Sequence, residues 1–251
     1  KMDLVPGMQT FLWLTPTKEG RFEILCEELC GVGHHTMRGA VIVDSSSDFE
    51  HWLAQQTTYS AQVNKPAGNA TVGAAQYGVC ATCHGAQGEG NPLMNAPKLA
   101  GQSAWYLKRQ VMNYKRGLRG SDPADNFGQQ MIGMVATLAN EQAVDNVVAH
   151  IGTFPDSPVD ATVEGDVAAG AKSYAVCAYC HGKDGMGVQA LNAPRLQGMS
   201  DWYLARQLAA FRDDVRGAHP QDYYGFQMGL MGQSARDEQA VNDLIAYINT
   251  L

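Results

Sequence analysis

No run of apolar residues in this chain approaches the roughly 18–20 that a bilayer-spanning helix requires. Basic residues are scarce: 18 Lys and Arg against 25 Asp and Glu leave a net charge of −7. That balance argues against nucleic acid as a partner and is compatible with a basic protein. Charged residues of both signs make up only 17% beside 45% hydrophobic ones, the composition of packed domains rather than of a disordered chain. A signal peptide is absent, and the sequence opens on Lys1 rather than methionine, so it is expected to be a soluble piece of something longer. No cysteine is left over, since all six fall into the close pairs Cys26/Cys30, Cys80/Cys83 and Cys177/Cys180. Short-range pairs followed by histidine suit a prosthetic group or a metal better than a disulfide framework. At 251 residues the chain has room for two or three ordinary domains.

The strongest pattern is an internal repeat at a constant offset of 97 residues. Cys80-Ala-Thr-Cys83-His84 returns as Cys177-Ala-Tyr-Cys180-His181, and Asn95-Ala-Pro97 as Asn192-Ala-Pro194. Trp105-Tyr106-Leu107 returns as Trp202-Tyr203-Leu204. Each copy reads as helical: Val144, Val147, Val148 and Ile151 follow helical spacing, as do Val241, Leu244, Ile245 and Ile248. Asn140 and Asp237 are the expected N-caps. Further helices are predicted over 70–80, 103–115, 167–177 and 200–212, with glycine-rich loops after each Cys-x-x-Cys-His. Residues 1–60 differ in kind. Strands are predicted at Thr10–Leu14, Phe22–Leu25 and Gly39–Val43, and Ser47-x-x-Glu50 reads as a capping box opening a short helix to about Gln56.

Two thiols three apart at a helix end can add to both vinyl groups of one haem, leaving the next histidine to ligate the iron. One such pentapeptide could instead serve zinc or thiol redox chemistry, but two in register, with methionines at matching positions downstream, favour haem. A thioether as the sixth ligand would raise the reduction potential relative to two histidines. The pairs Met131/Met228 and Met134/Met231 both keep the 97 offset, and within each copy only one of the two methionines can bind. The Pro97 and Pro194 carbonyls could orient the ligating imidazoles or simply form turns. Trp105, Tyr106, Trp202 and Tyr203 are expected to pack. Residues 70–251 resemble the dihaem cytochromes c of the c4 type, two class I cytochrome c domains in tandem. That resemblance implies Cys80, Cys83, His84 and Met131 around one haem and Cys177, Cys180, His181 and Met228 around the other. It puts the axial methionine first in a Met-x-Gly segment, here Met131-Ile-Gly133, whereas Met228-Gly-Leu-Met231 leaves both methionines open.

The third pair lies in Cys26-Glu-Glu28-Leu-Cys30-Gly-Val-Gly-His34-His35-Thr-Met37. Two thiolates, an imidazole and a thioether within 12 residues form a soft donor set that selects copper over magnesium or calcium. Residues 1–45 resemble the CuA-bearing, cupredoxin-like domain of cytochrome oxidase subunit II. The resemblance implies Cys26 and Cys30 bridging two coppers, His34 and Met37 as terminal ligands, and the Glu28 carbonyl as a further ligand. It sends the Glu28 side chain towards magnesium at the interface with subunit I. The family's other histidine ligand, and its membrane anchor, would lie upstream of Lys1. His35, His51, His150 and His219 have no partner motif.

The expected architecture is therefore multidomain: a partial cupredoxin-like β-barrel (1–60), a linker (61–71) and two all-α class I cytochrome c domains (72–156 and 157–251). The implied role is electron input to a bacterial haem–copper oxidase of the caa3 kind. Electrons would pass from a donor cytochrome c or quinol-oxidising complex through two c haems to CuA and on to subunit I. The chain would work on the periplasmic side of the inner membrane, with no oxygen-reduction site of its own. The alternatives are a stand-alone dihaem carrier and the input subunit of a CuA-type nitric oxide reductase. The three segments 1–60, 61–157 and 158–251 carry −4, +1 and −4, so the acidic C-terminal segment is expected to face a basic donor.

Overall fold

The computed structural model describes residues 12–28, 31, 34, 37–56 and 68–251. The chain divides into two compact units, Lys1–Pro66 and Ala67–Leu251.

In the N-terminal unit, β1 (Gly20–Leu25) pairs antiparallel with β2 (Arg38–Val43), Leu25 opposite Arg38 and Gly20 opposite Val43. Strand alternation puts Phe22, Ile24, Val41 and Val43 on one face, while Glu23 and Arg38 share the other in a 3.0 Å ion pair. α1 (Ser46–Ala54) follows, but its cap is Ser45 rather than Ser47: the Ser45 hydroxyl accepts from the Asp48 amide at 3.2 Å, and Ser47 is already helical. Leu12–Leu14 carry no strand, and Thr10 and Phe11 of the expected first strand lie outside the described residues.

The second unit is two copies of a four-helix set. The first comprises α2 (Ala70–His84), α3 (Ala104–Lys115), α4 (Asn126–Val135) and α5 (Glu141–Ile151). The second comprises α6 (Val167–His181), α7 (Asp201–Arg212), α8 (Tyr223–Gly232) and α9 (Glu238–Ile248), every boundary displaced by 97. The stripe Val144, Val147, Val148 and Ile151 is buried against Tyr77 and Leu107; Val241, Leu244, Ile245 and Ile248 repeat this against Tyr174. Asn140 and Asp237 cap as expected, accepting from Ala143 and Ala240 amides at 2.9 and 2.8 Å. α2 crosses α5 so closely that a Cβ at Gly73 would collide with the Asn146 carbonyl, and Gly170 meets Asp243 alike. The expected linker to Thr71 gives way to helix at Ala70, because the Asn69 side chain accepts the Thr71 and Val72 amides. α4 and α8 are not among the expected helices; Asp125 and Asp222 cap them through Gly128 and Gly225.

One feature breaks the repeat. Asp201, fully buried, accepts from the amides of Thr162 and Val163, the Thr162 hydroxyl and the Asn249 side chain, where the first copy has Ala104. Burial alone would raise its carboxyl, but these hydrogen bonds outweigh it and hold it below the usual carboxylate range. Each donor left unpaired in Asp201→Ala costs roughly 1–3 kcal/mol, so this variant should unfold at lower denaturant at pH 7. Because the folded carboxyl is the more acidic, its contribution is complete above the unfolded value near pH 4 and fades as pH falls through the folded one. The gap between wild type and variant in chemical denaturation should therefore narrow below about pH 4.

Candidate functional site

Cys80, Cys83 and His84 close α2, and Cys177, Cys180 and His181 close α6, so both thiols of each pair lie on one face within a turn of the histidine. Each helix is stopped by a positive-φ glycine, Gly85 or Gly182, whose carbonyl accepts from Tyr77 or Tyr174 at 2.9 and 2.7 Å. His84 and His181 are 6% and 5% exposed, and each donates from Nδ1 to a proline carbonyl, Pro97 or Pro194, at 2.8 Å. The bond leaves Nε2 with its lone pair. Burial pushes both imidazoles below the ordinary histidine range, favouring the neutral form that can ligate a metal, and the bond to the proline carbonyl opposes this only in part. The glycine loops hold the proline segments: a Cβ at Gly90 or Gly187, both at positive φ, would lie 2.6 Å from the Lys98 or Arg195 amide nitrogen. Burial raises the Cys80 thiol and pushes Cys177 to about 11. That is the opposite direction from an activated thiol–disulfide centre.

The cysteine–histidine ends open into a largely apolar cavity of about 360 Å³ lined by both copies. Met131 and Met134 reach it from one face of α4, and Met228 and Met231 from α8, all partly buried. Both candidates of each pair therefore sit at the cavity. Sequence reasoning missed the polar group between the copies. Arg119 donates to Tyr203 Oη (2.7 Å), Gln207 (2.9 Å) and Gln110 (2.7 Å). Arg216 mirrors it, donating to Tyr106 Oη (3.1 Å), Gln110 (3.0 Å) and Gln207 (2.6 Å). Tyr106 and Tyr203, expected only to pack, thus bond across the interface. Both guanidinium groups line the cavity at 5% and 7% exposure, and each Nε is buried without a protein partner. The signal was available, since Arg119/Arg216 and Arg109/Arg206 keep the 97 offset. A buried orphan donor needs an acceptor, and haem carries two carboxylates. Apolar walls, paired thiols, a neutral imidazole, thioethers and unpartnered arginine donors together fit haem in each copy.

In the N-terminal unit the segment between β1 and β2 closes on itself. The Cys26 amide donates to the Met37 carbonyl at 3.1 Å, and the Met37 amide to the His34 carbonyl at 3.2 Å. The Cys26 thiol lies 3.2 Å from the Glu28 carbonyl. These bonds link Cys26 to Met37 and Met37 to His34 through their backbones, and among the described residues no three His, Cys, Asp or Glu side chains gather closely enough to hold a metal. Cys30 and His35 lie outside the described residues.

Two tandem all-α domains, each ending its first helix in Cys-x-x-Cys-His over an apolar cavity, define a dihaem cytochrome. The cytochrome c family model matches residues 70–154 and again 167–251, and the chain belongs to that family. It is 32% identical to cytochrome c4 of Pseudomonas aeruginosa over 158 residues, 60% of this chain and 74% of that protein. The reduced recombinant cytochrome c4 of Pseudomonas stutzeri superposes with a TM-score of 0.55 at 27% identity, covering 74% of this chain and all of that one. A 60-residue stretch, 24% of the chain, is 52% identical to the alternative cytochrome c oxidase subunit 2 of Bradyrhizobium diazoefficiens. The match spans only 22% of that relative's length. Cytochrome c domains carry covalently attached c-type haem, and the chain is an electron-transfer protein with two of them. Among the described residues no helix is long and apolar enough to cross a membrane.

Proposed function

We propose that this chain is the electron-input part of a bacterial haem–copper oxidase, taking electrons from a donor protein and delivering them toward the oxygen-reducing subunit I. The observation that carries the proposal is the joining, in one polypeptide, of a Cys26–Met37 copper-type donor set to two cytochrome c domains. The 52% identity with an oxidase subunit 2 supports it. Each iron, and a dinuclear copper centre, would supply a one-electron couple.

The chain's residues hold these groups and fix their surroundings. Cys80 and Cys83, and Cys177 and Cys180, would hold the haems through thioether bonds, with His84, His181, Met131 and Met228 as iron ligands. Cys26, Cys30, His34, Met37 and the Glu28 carbonyl would be the copper ligands this chain provides. The Glu28 side chain would serve a magnesium ion shared with subunit I. Phe22 and Ile24 on the apolar face of the hairpin are exposed, and a two-stranded sheet is marginal by itself; a cupredoxin-like barrel would cover that face. The setting is the periplasmic side of the inner membrane, with a cytochrome c or a quinol-oxidising complex as donor.

A stand-alone dihaem carrier is the second reading, favoured by the 74% coverage of a cytochrome c4. Metal analysis with near-infrared spectroscopy separates them. Two irons and two coppers per chain, the copper lost in Cys26→Ser, are expected for the oxidase component. Two irons without copper would leave the carrier.

A further inference from the structure

The two copies grip one another through a crossed pair of arginines. Arg206, on α7 of the second copy, donates from its two terminal nitrogens to the Asn95 side chain (2.8 Å) and carbonyl (3.2 Å) of the first. Arg109, on α3, returns the same fork to the Asn192 side chain and carbonyl, both at 2.9 Å. Asn95 and Asn192 sit in the left-handed region, φ 54° and 55°, where few side chains but asparagine and glycine are comfortable. Each lies two residues before the proline whose carbonyl holds the histidine of its own copy.

The same guanidinium groups also touch the opposite wall. The Arg206 guanidinium lies 4.6 Å from the Phe127 ring centre, and Phe127 stands one turn before Met131 on α4. Arg109 lies 4.9 Å from the Tyr224 ring, one turn before Met228 on α8. One side chain from each copy thus bears on both the histidine side and the methionine side of the other copy's cavity.

We propose that Arg206 and Arg109 are positioning residues that act across the interface, each setting the ligand geometry, and so the reduction potential, of the haem in the opposite copy. The proposal rests on the haem reading above. A ligating imidazole is tuned by the acceptor on its other nitrogen, and the anchored Asn-Ala-Pro turn fixes that acceptor. Lysine at either arginine keeps the charge but cannot reproduce two parallel donors, so a change in Arg206→Lys reports position rather than charge.

The test uses the holoprotein carrying Arg206→Lys or, as an independent mirror variant, Arg109→Lys. Haem content is measured first, then potentiometric titration and the shifted haem-methyl proton signals, assigned to each copy through contacts with its thioether protons. Arg206→Lys should move the potential and methyl pattern of the haem on Cys80/Cys83 and leave the haem on Cys177/Cys180 unchanged. Arg109→Lys should do the reverse. Both haems present with no shift, equal shifts, or a shift confined to the arginine's own copy would overturn the proposal while leaving the haem reading intact. Wild-type protein matured with no covalent haem would overturn both.

Discussion

Replacing Met131 with histidine should lower the potential of the N-terminal haem by a sizeable part of the roughly 0.8 V over which axial ligands set haem potentials. Replacing Met134 with leucine should leave it nearly unchanged. The reason lies in the balance between donors: a thioether is a weak σ-donor that favours the reduced iron, whereas imidazole stabilises the oxidised one. α4 presents both methionines to the cavity from one face, three residues apart, so either could in principle reach the iron side. The neighbouring glycine separates them. Gly133 follows Met131 at the Met-x-Gly spacing, while in α8 the glycine is Gly229, directly after Met228. The same pair of substitutions at Met228 and Met231 is therefore the more informative in the second copy. Potentiometric titration of the four variants decides. A large drop at Met134 or Met231 in place of its partner would move the ligand by one turn of helix without changing the fold.

Much of the repeat was legible because it is written twice. The buried stripe Val144, Val147, Val148 and Ile151, the caps Asn140 and Asp237, and the glycine loops after each Cys-x-x-Cys-His are all local features whose physical cause lies within a few residues. Two kinds of feature escaped. α4 escaped although Phe127, Met131, Met134 and Val135 keep helical spacing, and in α8 interleaved glycines and aromatics blur the equivalent stripe on the side that faces the cavity. For the arginine forks the 97 offset marked Arg109 and Arg206 as equivalent positions but not what they hold. Arg109 reaches Asn192 and Arg206 reaches Asn95 across 83 and 111 residues of sequence, and nothing local marks an arginine as a cross-domain donor. Asp201 escaped likewise, because its partners Thr162, Val163 and Asn249 are brought to it only by the tertiary fold. In the N-terminal unit the Cys26 to Met37 backbone bond followed only from the pairing of β1 with β2.

The second large effect concerns attachment. Changing Cys177 and Cys180 together to serine should cut covalent haem from two per chain to one, and it should also unfold the C-terminal domain. The core cluster of that domain is small, Tyr174, Ala235, Val241, Leu244, Ile245 and Ile248, and four of its members, Ala235, Leu244, Ile245 and Ile248, line the cavity. Net domain stabilities are only about 5–15 kcal/mol, and an apolar macrocycle seated against these walls contributes on that scale through the surface it removes from water. Without it, Arg216 would keep a buried donor with no acceptor, which adds to the cost. The N-terminal domain should keep its haem and its α2–α5 crossing, since Tyr77, Leu107 and the Val144 stripe are its own. Its interface side would loosen, because Arg206 and Tyr203 no longer hold Asn95 and Arg119. Haem content by absorbance and hydrogen exchange resolved by segment measure the two parts separately. Protection lost over 167–248 and retained over 141–151 is the expected result. Protection retained in both domains would mean that the side chains alone suffice to hold the C-terminal fold, and that the cavity is a preformed receptacle rather than half of a core.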